Sequence, residues 1–424
     1  MAFARHFFLS VVFGAALAIA PAGAEDLAVG GLGPRAALRK APVQAKISGM
    51  GVRLERRGET VRLIVETSAR AQVEAWPMAG PDRIVVDLPD LAFALDPAAG
   101  RSTDGKALDP LVKSYRFGLF APGRSRMVLE LARPAKILRA ESVEAEGARI
   151  EIDLAPTDAK SFAAAAARRS DAADAVAQPP LAPAAAGKPV VVIDPGHGGV
   201  DMGATGKHGE LEKQIVFDFA RTLAAKIEAR GKAHAILTRT EDIFIPLAER
   251  MRFGRRAKAA LFMSIHADTL GAGHVEGATV YTVSAKASDA EAAKIAETEN
   301  RADLAGGLEK ADGAEEVGDI LFDLTRRETR AYARDFAQSL VSVWKQAGSL
   351  NKNPTRSAGF VVLKAHDVPS VLLELGYLSS EKDLARLTSS DWRDKASDVT
   401  AGAIEAFLAE RDRTAALPGP AAER

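Results

Sequence analysis

Cysteine is absent from the 424 residues. A chain without thiols forms no disulfide staples, so its stability must rest on burial and on any bound metal. The same absence removes thiolates from the candidates for metal ligand or nucleophile. Net charge is absent as well, because 56 Lys and Arg face 56 Asp and Glu. That balance excludes a partner gathered mainly by bulk electrostatics, and no nucleic acid is expected. Apolar runs of membrane-spanning length are missing too. The run from Phe7 to Ile19 falls short of the ~20 residues that a span needs.

That run has another reading. Arg5 and His6 precede it, and Pro21-Ala22-Gly23-Ala24 follows with small residues at the A-x-A positions of a signal-peptidase site. The pattern predicts a signal peptide over 1–24, cleaved after Ala24, against the alternative of an uncleaved anchor. No Arg-Arg pair precedes the apolar run, which points to the general secretory (Sec) route. The expected location is the periplasm or cell envelope, with no membrane span after cleavage.

What is present is enough for two folded units. The length exceeds one ordinary domain, and 47% of residues are hydrophobic. Residues 25–44 are rich in Gly, Ala and Pro and read as a flexible segment. Over 45–156, short runs such as Val61–Glu66, Arg83–Leu88, Arg126–Leu131 and Ala148–Leu154 are broken by Gly, Pro and Asp. They predict a small all-β, sandwich-like domain. Residues 157–187 are dominated by Ala and Pro without apolar periodicity, the composition of a linker. From 188 to 413 strands alternate with helical patterns. Val190–Ile193 is continuously apolar, the mark of a strand buried on both faces, and Ile215, Val216, Phe219, Ala220, Leu223, Ala224 and Ile227 recur at helical spacing. Leu261–Ile265, Ala278–Val283 and Val371–Leu375 supply further strands. The expected fold is α/β, a mostly parallel twisted sheet with helices on both faces. An insertion over about 285–325 interrupts it, and 414–424 reads as a flexible tail.

The densest local signal is Ile193-Asp194-Pro195-Gly196-His197-Gly198-Gly199, where a buried strand opens into a glycine-rich loop. Ligands of open α/β sheets bind beyond the carboxyl ends of strands, which is where His197 falls. Glu212 stands at the first turn of the next helix, His266 ends the strand from Leu261, and Glu374 lies at the end of Ser370–Leu373. Two histidines and a glutamate are the ligand set of a catalytic zinc, and a remaining carboxylate can serve as general base. Taken singly, each residue has a plainer role. His197 could be a hydrogen-bonded loop residue, His266 a core histidine, and Glu212 a partner of the helix N-terminus. Glu374 resists this most, since a carboxylate within Val-Leu-Leu-Glu-Leu-Gly is costly to bury unpaired. His208, His274 and His366 lie in polar stretches and read as structural or solvated.

At these residues the sequence resembles the zinc-dependent N-acetylmuramoyl-L-alanine amidases that carry an N-terminal AMIN domain. The resemblance runs through Ile193–Gly199, Glu212-Lys213, Thr238-Arg239, Ser264-Ile265-His266-Ala267-Asp268, Val280–Ser284 and Pro369–Gly376. Arg83–Leu88, Val112–Gly118 and Arg126–Leu131 resemble the AMIN module more loosely. It implies Zn²⁺ held by His197, Glu212 and His266, with Glu374 as the catalytic carboxylate. It implies peptidoglycan as substrate, cut between N-acetylmuramic acid and L-alanine, in daughter-cell separation. In the family's division enzymes a helix at the insertion blocks the site until an envelope activator protein displaces it. Asp289 to Leu304 reads as a helix here, and Glu299 is the candidate autoinhibitory carboxylate, against the alternative of a solvated charged face. The competing functions are another zinc peptidoglycan peptidase and a non-catalytic cell-wall-binding protein.

Overall fold

A computed structural model describes residues 47–101, 106–145, 147–168, 187–270, 275–309 and 320–416. The expected signal peptide, the segment 25–44, residues 169–186 of the expected linker and 417–424 of the expected tail lie outside them. Among the described residues no helix is long and apolar enough to cross a membrane.

The N-terminal region alternates inward apolar and outward polar side chains, and it folds as that period requires. Its strands are β1 (Ile47–Arg57), β2 (Thr60–Thr67), β3 (Glu74–Met78), β4 (Arg83–Pro89), β5 (Leu91–Phe93), β6 (Val112–Ala121), β7 (Arg124–Leu131), β8 (Ala135–Ala145) and β9 (Gly147–Pro156). They form two sheets, ordered β5-β1-β2-β9-β8 and β3-β4-β7-β6. Every pair is antiparallel except β1–β5. Val61, Leu63 and Val65 of one sheet share a core with Ile84, Val86, Met127 and Leu129 of the other. This is the small all-β domain that the alternation predicts.

One boundary differs. Residues 159–166, expected within the linker, form helix α1 (Ala159–Ala166), N-capped by the Asp158 side chain. Phe162 inserts into the β core and ties the helix down. A single buried aromatic outweighs the Ala-rich composition that suggested a linker.

The second region contains β10 (Val190–Pro195), α2 (Glu212–Arg230), β11 (His234–Leu237), α3 (Leu247–Arg256), β12 (Leu261–His266) and β13 (Ala278–Val283). After these come α4 (Ala290–Glu299), α5 (Ala302–Ala305), α6 (Ile320–Trp344), β14 (Leu350–Ala358), β15 (Ser370–Glu374), α7 (Glu381–Leu387) and α8 (Ser390–Ala416). The sheet order is β11-β10-β12-β15-β13-β14, parallel throughout except between β15 and β13. Alternate residues face opposite layers. Val191, Ile193, Met263 and Val371 meet α2, α6 and α8, while Val192, Phe262 and Leu372 meet α3 and α4. Burial on both faces is why these strands read as unbroken apolar runs. Register then does the positioning, since β12 and β15 pair so that His266 stands beside Glu374 at their carboxyl ends.

Candidate functional site

The four residues singled out from sequence gather at that edge, and a fifth joins them. His197 follows β10, Glu212 opens α2, His266 ends β12, Glu374 ends β15 and Glu299 ends α4; all five are buried. His197 Nε2 lies 3.1 Å from Glu212 Oε1 and 3.6 Å from Glu299 Oε2. His266 Nδ1 lies 3.2 Å from the same Glu212 oxygen and 3.0 Å from the same Glu299 oxygen. The two rings stand edge to face with centroids 4.9 Å apart. Glu374 is set to one side. Its Oε2 accepts the Asp268 amide at 3.1 Å, and its Oε1 is buried without a hydrogen-bond partner.

Local chain chemistry holds each donor in place. His197 has φ of 58°, a left-handed conformation that costs a non-glycine residue roughly 1–3 kcal/mol unless its surroundings enforce it. Two buried arginines do so. Arg250 donates to the carbonyls of Pro195 at 2.8 Å and His197 at 2.7 Å, and Arg239 donates to those of Pro195 and Gly196. The His197 ring is oriented by Asp201, whose Oδ2 stands 2.9 Å from Nδ1 and leaves Nε2 aimed at the cluster. Glu212 is fixed from both ends. Oε1 accepts the Ala267 amide at 2.9 Å and Oε2 the Ala204 amide at 2.8 Å. Gly203 permits this approach, because a Cβ there would meet Glu212 Oε2 and His197 Cδ2 at 2.7 Å each.

The charges are strongly coupled. Burial opposes protonation of His197, yet the carboxylates of Glu212, Asp201 and Glu299 outweigh it and hold the imidazole well above its ordinary value. His266 is pushed up to about 10, with Glu299 and Glu212 overcoming the desolvation that would lower it. Burial resists ionisation of Glu212, but the two imidazoles hold it well below the carboxylate range. Glu374 is raised well above that range by burial, reinforced by Asp268, Glu212 and Glu299 and opposed by His266. Asp268 is raised to about 7, by desolvation first and then Glu299 and Glu212.

This donor set fits a divalent cation. The ligand atoms of His197, His266 and Glu299 lie within 4.8 Å of one another, and Glu212 Oε1 approaches both imidazoles more closely than that. Donors at zinc-ligand distance stand roughly 3.3 Å apart around a tetrahedron, and the four imidazole–carboxylate separations here run from 3.0 to 3.6 Å. His197 Nε2 is buried without a well-directed hydrogen bond despite its nearby carboxylates, an orphaned polar atom that a shared cation would satisfy once the ring gives up its proton.

Several site residues carried no predicted role. Asp201, Arg239, Arg250 and Asp268 acquire theirs only through folding. Of the weaker candidates, His208 is exposed and His366 meets Arg255, while His274 lies outside the described residues.

A site of two imidazoles and converging carboxylates at the carboxyl edge of a mixed sheet defines a class: α/β proteins equipped to hold a divalent cation. Comparison narrows it. The sequence model of the N-acetylmuramoyl-L-alanine amidase family matches residues 191–406, and that of the AMIN domain matches 51–161. N-acetylmuramoyl-L-alanine amidase AmiC of Escherichia coli O6:H1 is 33% identical over 363 residues, 82% of this chain and 87% of its own. The amidase AmiA of Escherichia coli K12 is 37% identical over 230 residues, 54% of this chain and 79% of its own. Among solved structures, the amidase AmiC2 of Nostoc punctiforme is 26% identical and covers 53% of this chain and 99% of its own, with a TM-score of 0.38. The chain belongs to the N-acetylmuramoyl-L-alanine amidase family of peptidoglycan hydrolases, with an AMIN domain ahead of the catalytic domain.

Proposed function

We propose that this chain is an exported zinc amidase, held inactive by its own insertion until an envelope activator releases it. It would cleave peptidoglycan between N-acetylmuramic acid and L-alanine during daughter-cell separation. The observation that carries this reading is that His197 Nε2 and His266 Nδ1 each lie 3.0–3.6 Å from both Glu212 Oε1 and Glu299 Oε2. Zinc would be held by His197, Glu212 and His266, and Glu299 would occupy the position that water or substrate needs. The sequence 1–24 supports Sec export to the periplasm.

When bound, zinc supplies Lewis acidity that makes water a nucleophile near neutral pH. The remaining chemistry falls to side chains. Glu374, with one oxygen free of protein partners, accepts the proton of the attacking water and returns it to the departing amine of L-alanine. Burial, first, and the surrounding carboxylates raise its proton affinity above that of an ordinary carboxylate, the direction a proton-accepting group needs. The Asp268 amide keeps the other oxygen fixed.

The insertion has the build of a plug. Asp289 caps α4, and Ala292, Ile295, Ala296 and Glu299 form one buried face at helical spacing. That face packs its apolar members against the α3 layer and delivers the carboxylate at its end to the imidazoles. Beyond α4, Asn300 bonds Gly359 O at 2.9 Å and the Val361 amide at 2.8 Å, ending the helix before the expected Leu304.

Mass spectrometry of digested sacculi, with and without chelator, tests the reaction. Intact stem peptides beginning with L-alanine are expected only without chelator, and cuts inside the stem would instead identify a peptidase. Glu374→Gln should retain one zinc per chain while losing about 10²–10⁴-fold in turnover. A turnover within a few-fold of the unmodified enzyme would remove Glu374 from its role. Glu299→Ala should raise basal dye release from labelled sacculi, and an unchanged rate would remove the plug.

A further inference from the structure

The stretch of the insertion just past α4 is held by the β domain. At the end of α5 and just beyond it the chain presents the carbonyls of Leu304, Gly306, Gly307 and Leu308, acceptors with lone pairs left to fill. Two guanidinium groups of the sheet β3-β4-β7-β6 supply them. Arg83 Nη1 donates to Leu304 O at 2.7 Å and Leu308 O at 3.2 Å. Arg126 Nη1 donates to Gly306 O at 3.0 Å and Gly307 O at 3.4 Å.

Arg126 is a built receptor rather than a chance contact. Its side chain is 0% exposed, and Asp87 grips it through Nε at 2.6 Å and Nη2 at 3.0 Å. The Phe120 ring lies 3.5 Å below the guanidinium carbon. These contacts leave Nη1 facing the insertion. An apolar seam surrounds it, where Phe120 stacks on Phe244 at 5.5 Å and packs with Ala121, Val128 and Val200, with Leu308 at its margin. Gly307 lies against Val85 and Val128 with φ of 68°, so a side chain there would meet both valines at 3.0–3.1 Å and strain the backbone.

We propose that the β3-β4-β7-β6 face of the AMIN domain is a latch for the inhibitory insertion, gripping the carbonyls of residues 304–308 through Arg83 and Arg126. The proposal rests on the plug reading of Glu299. The segment is docked at two ends, by Asn300 on the catalytic domain and by the two arginines on the AMIN domain. Loosening the arginine end shortens the docked length and raises the frequency with which Glu299 leaves the imidazoles. The AMIN domain is then a regulator of the catalytic site, because whatever draws its β3-β4-β7-β6 face away from residues 304–308 also weakens inhibition.

Gly307→Val and Arg83→Met, made separately in the zinc-loaded full chain, test the latch. Hydrogen exchange over residues 290–309 should quicken by about tenfold or more in both, with protection of the β-domain core amides unchanged. Basal dye release should rise in parallel. Exchange over 290–309 identical to the unmodified chain in both variants would overturn the latch. Faster exchange with no gain in dye release, while Glu299→Ala is equally silent, keeps the latch and overturns the plug instead.

Discussion

Two buried arginines serve two regions of this molecule in different ways. Arg250 pairs with Asp194 at 2.9 Å and donates to the carbonyls of Ile245, Pro195 and His197, all within the catalytic domain. Arg126 pairs with Asp87 and donates to the carbonyls of Gly306 and Gly307, which belong to a segment outside its own domain. The chemistry is the same, a carboxylate fixing a guanidinium that satisfies backbone acceptors. The consequences differ. When every partner belongs to one core, none can leave without unfolding, and the strained His197 loop is held permanently. When the accepted carbonyls belong to a neighbouring segment, the same group can let go.

The largest effect expected from this contrast is on stability. Arg250→Met leaves Asp194 fully buried, with only the hydroxyls of Thr238 and Ser264 for company. Arg250 is the charge that chiefly offsets the burial of Asp194 and keeps its carboxyl below the usual range. Removing one member of such a pair costs about 3–5 kcal/mol. Urea unfolding should show that loss as a lower midpoint with unchanged slope. Arg126→Met should cost less, because Arg124 remains 3.5 Å from Asp87. Its main effect should be faster exchange over 290–309. Equal losses of global stability in the two variants would break the contrast.

A second prediction sharpens it within the catalytic domain. Asp201→Asn keeps a hydrogen-bonding group near His197 Nδ1 but removes the charge and leaves the ring's tautomer unguided. Carboxylates behind ligand histidines typically contribute 10–100-fold in metal affinity, and about that loss is expected. Competition against a chromophoric chelator measures it, and unaltered affinity would confine Asp201 to a structural role.

The strands named from sequence in both domains were legible because period 2 and unbroken apolar runs survive folding unchanged, whereas β1, β3, β5, β8, β11 and β14 were not named. Ala278–Val283 is matched at both ends, and Arg83–Leu88 to within one residue. The four residues singled out from sequence come together because three of them end or follow strands of one sheet and Glu212 opens the next helix. What stayed hidden depends on pairing between distant stretches. No local pattern announces that Arg250 would reach Pro195, or that β12 and β15 would set His266 beside Glu374. Asp201 did leave a trace, a carboxylate four residues after a histidine in a glycine-rich loop. The helix expected over Asp289–Leu304 breaks because the Asn300 side chain binds the loop at 359–361, a tertiary contact that helical periodicity does not register. In the same way Phe162, one aromatic amid alanines, turns the expected start of a linker into part of the β domain.

The smallest expected effect concerns pH and the segment between the two docking points. Asp303 is buried, and its Oδ1 accepts the Leu247 amide at 3.0 Å, capping α3, which has no side-chain cap of its own. Burial raises Asp303 to about 6, with the nearby Asp201 adding to the rise while the Leu247 amide and Arg250 pull the other way. A released segment would return it to its ordinary value near 3.8. Docking therefore takes up a proton between those two values. The added stability of the docked form is fully present below about pH 4 and is lost as pH climbs through about 6. Between pH 7 and pH 5 the gain is roughly 1 kcal/mol, or about a five- to tenfold slower opening of residues 290–309. Asp303→Asn can still accept the Leu247 amide but cannot titrate, so its exchange, corrected for the intrinsic rate, should lose that slope. A slope equal to that of the unmodified chain would place the pH dependence on other groups and leave Asp303 as a cap for α3 alone.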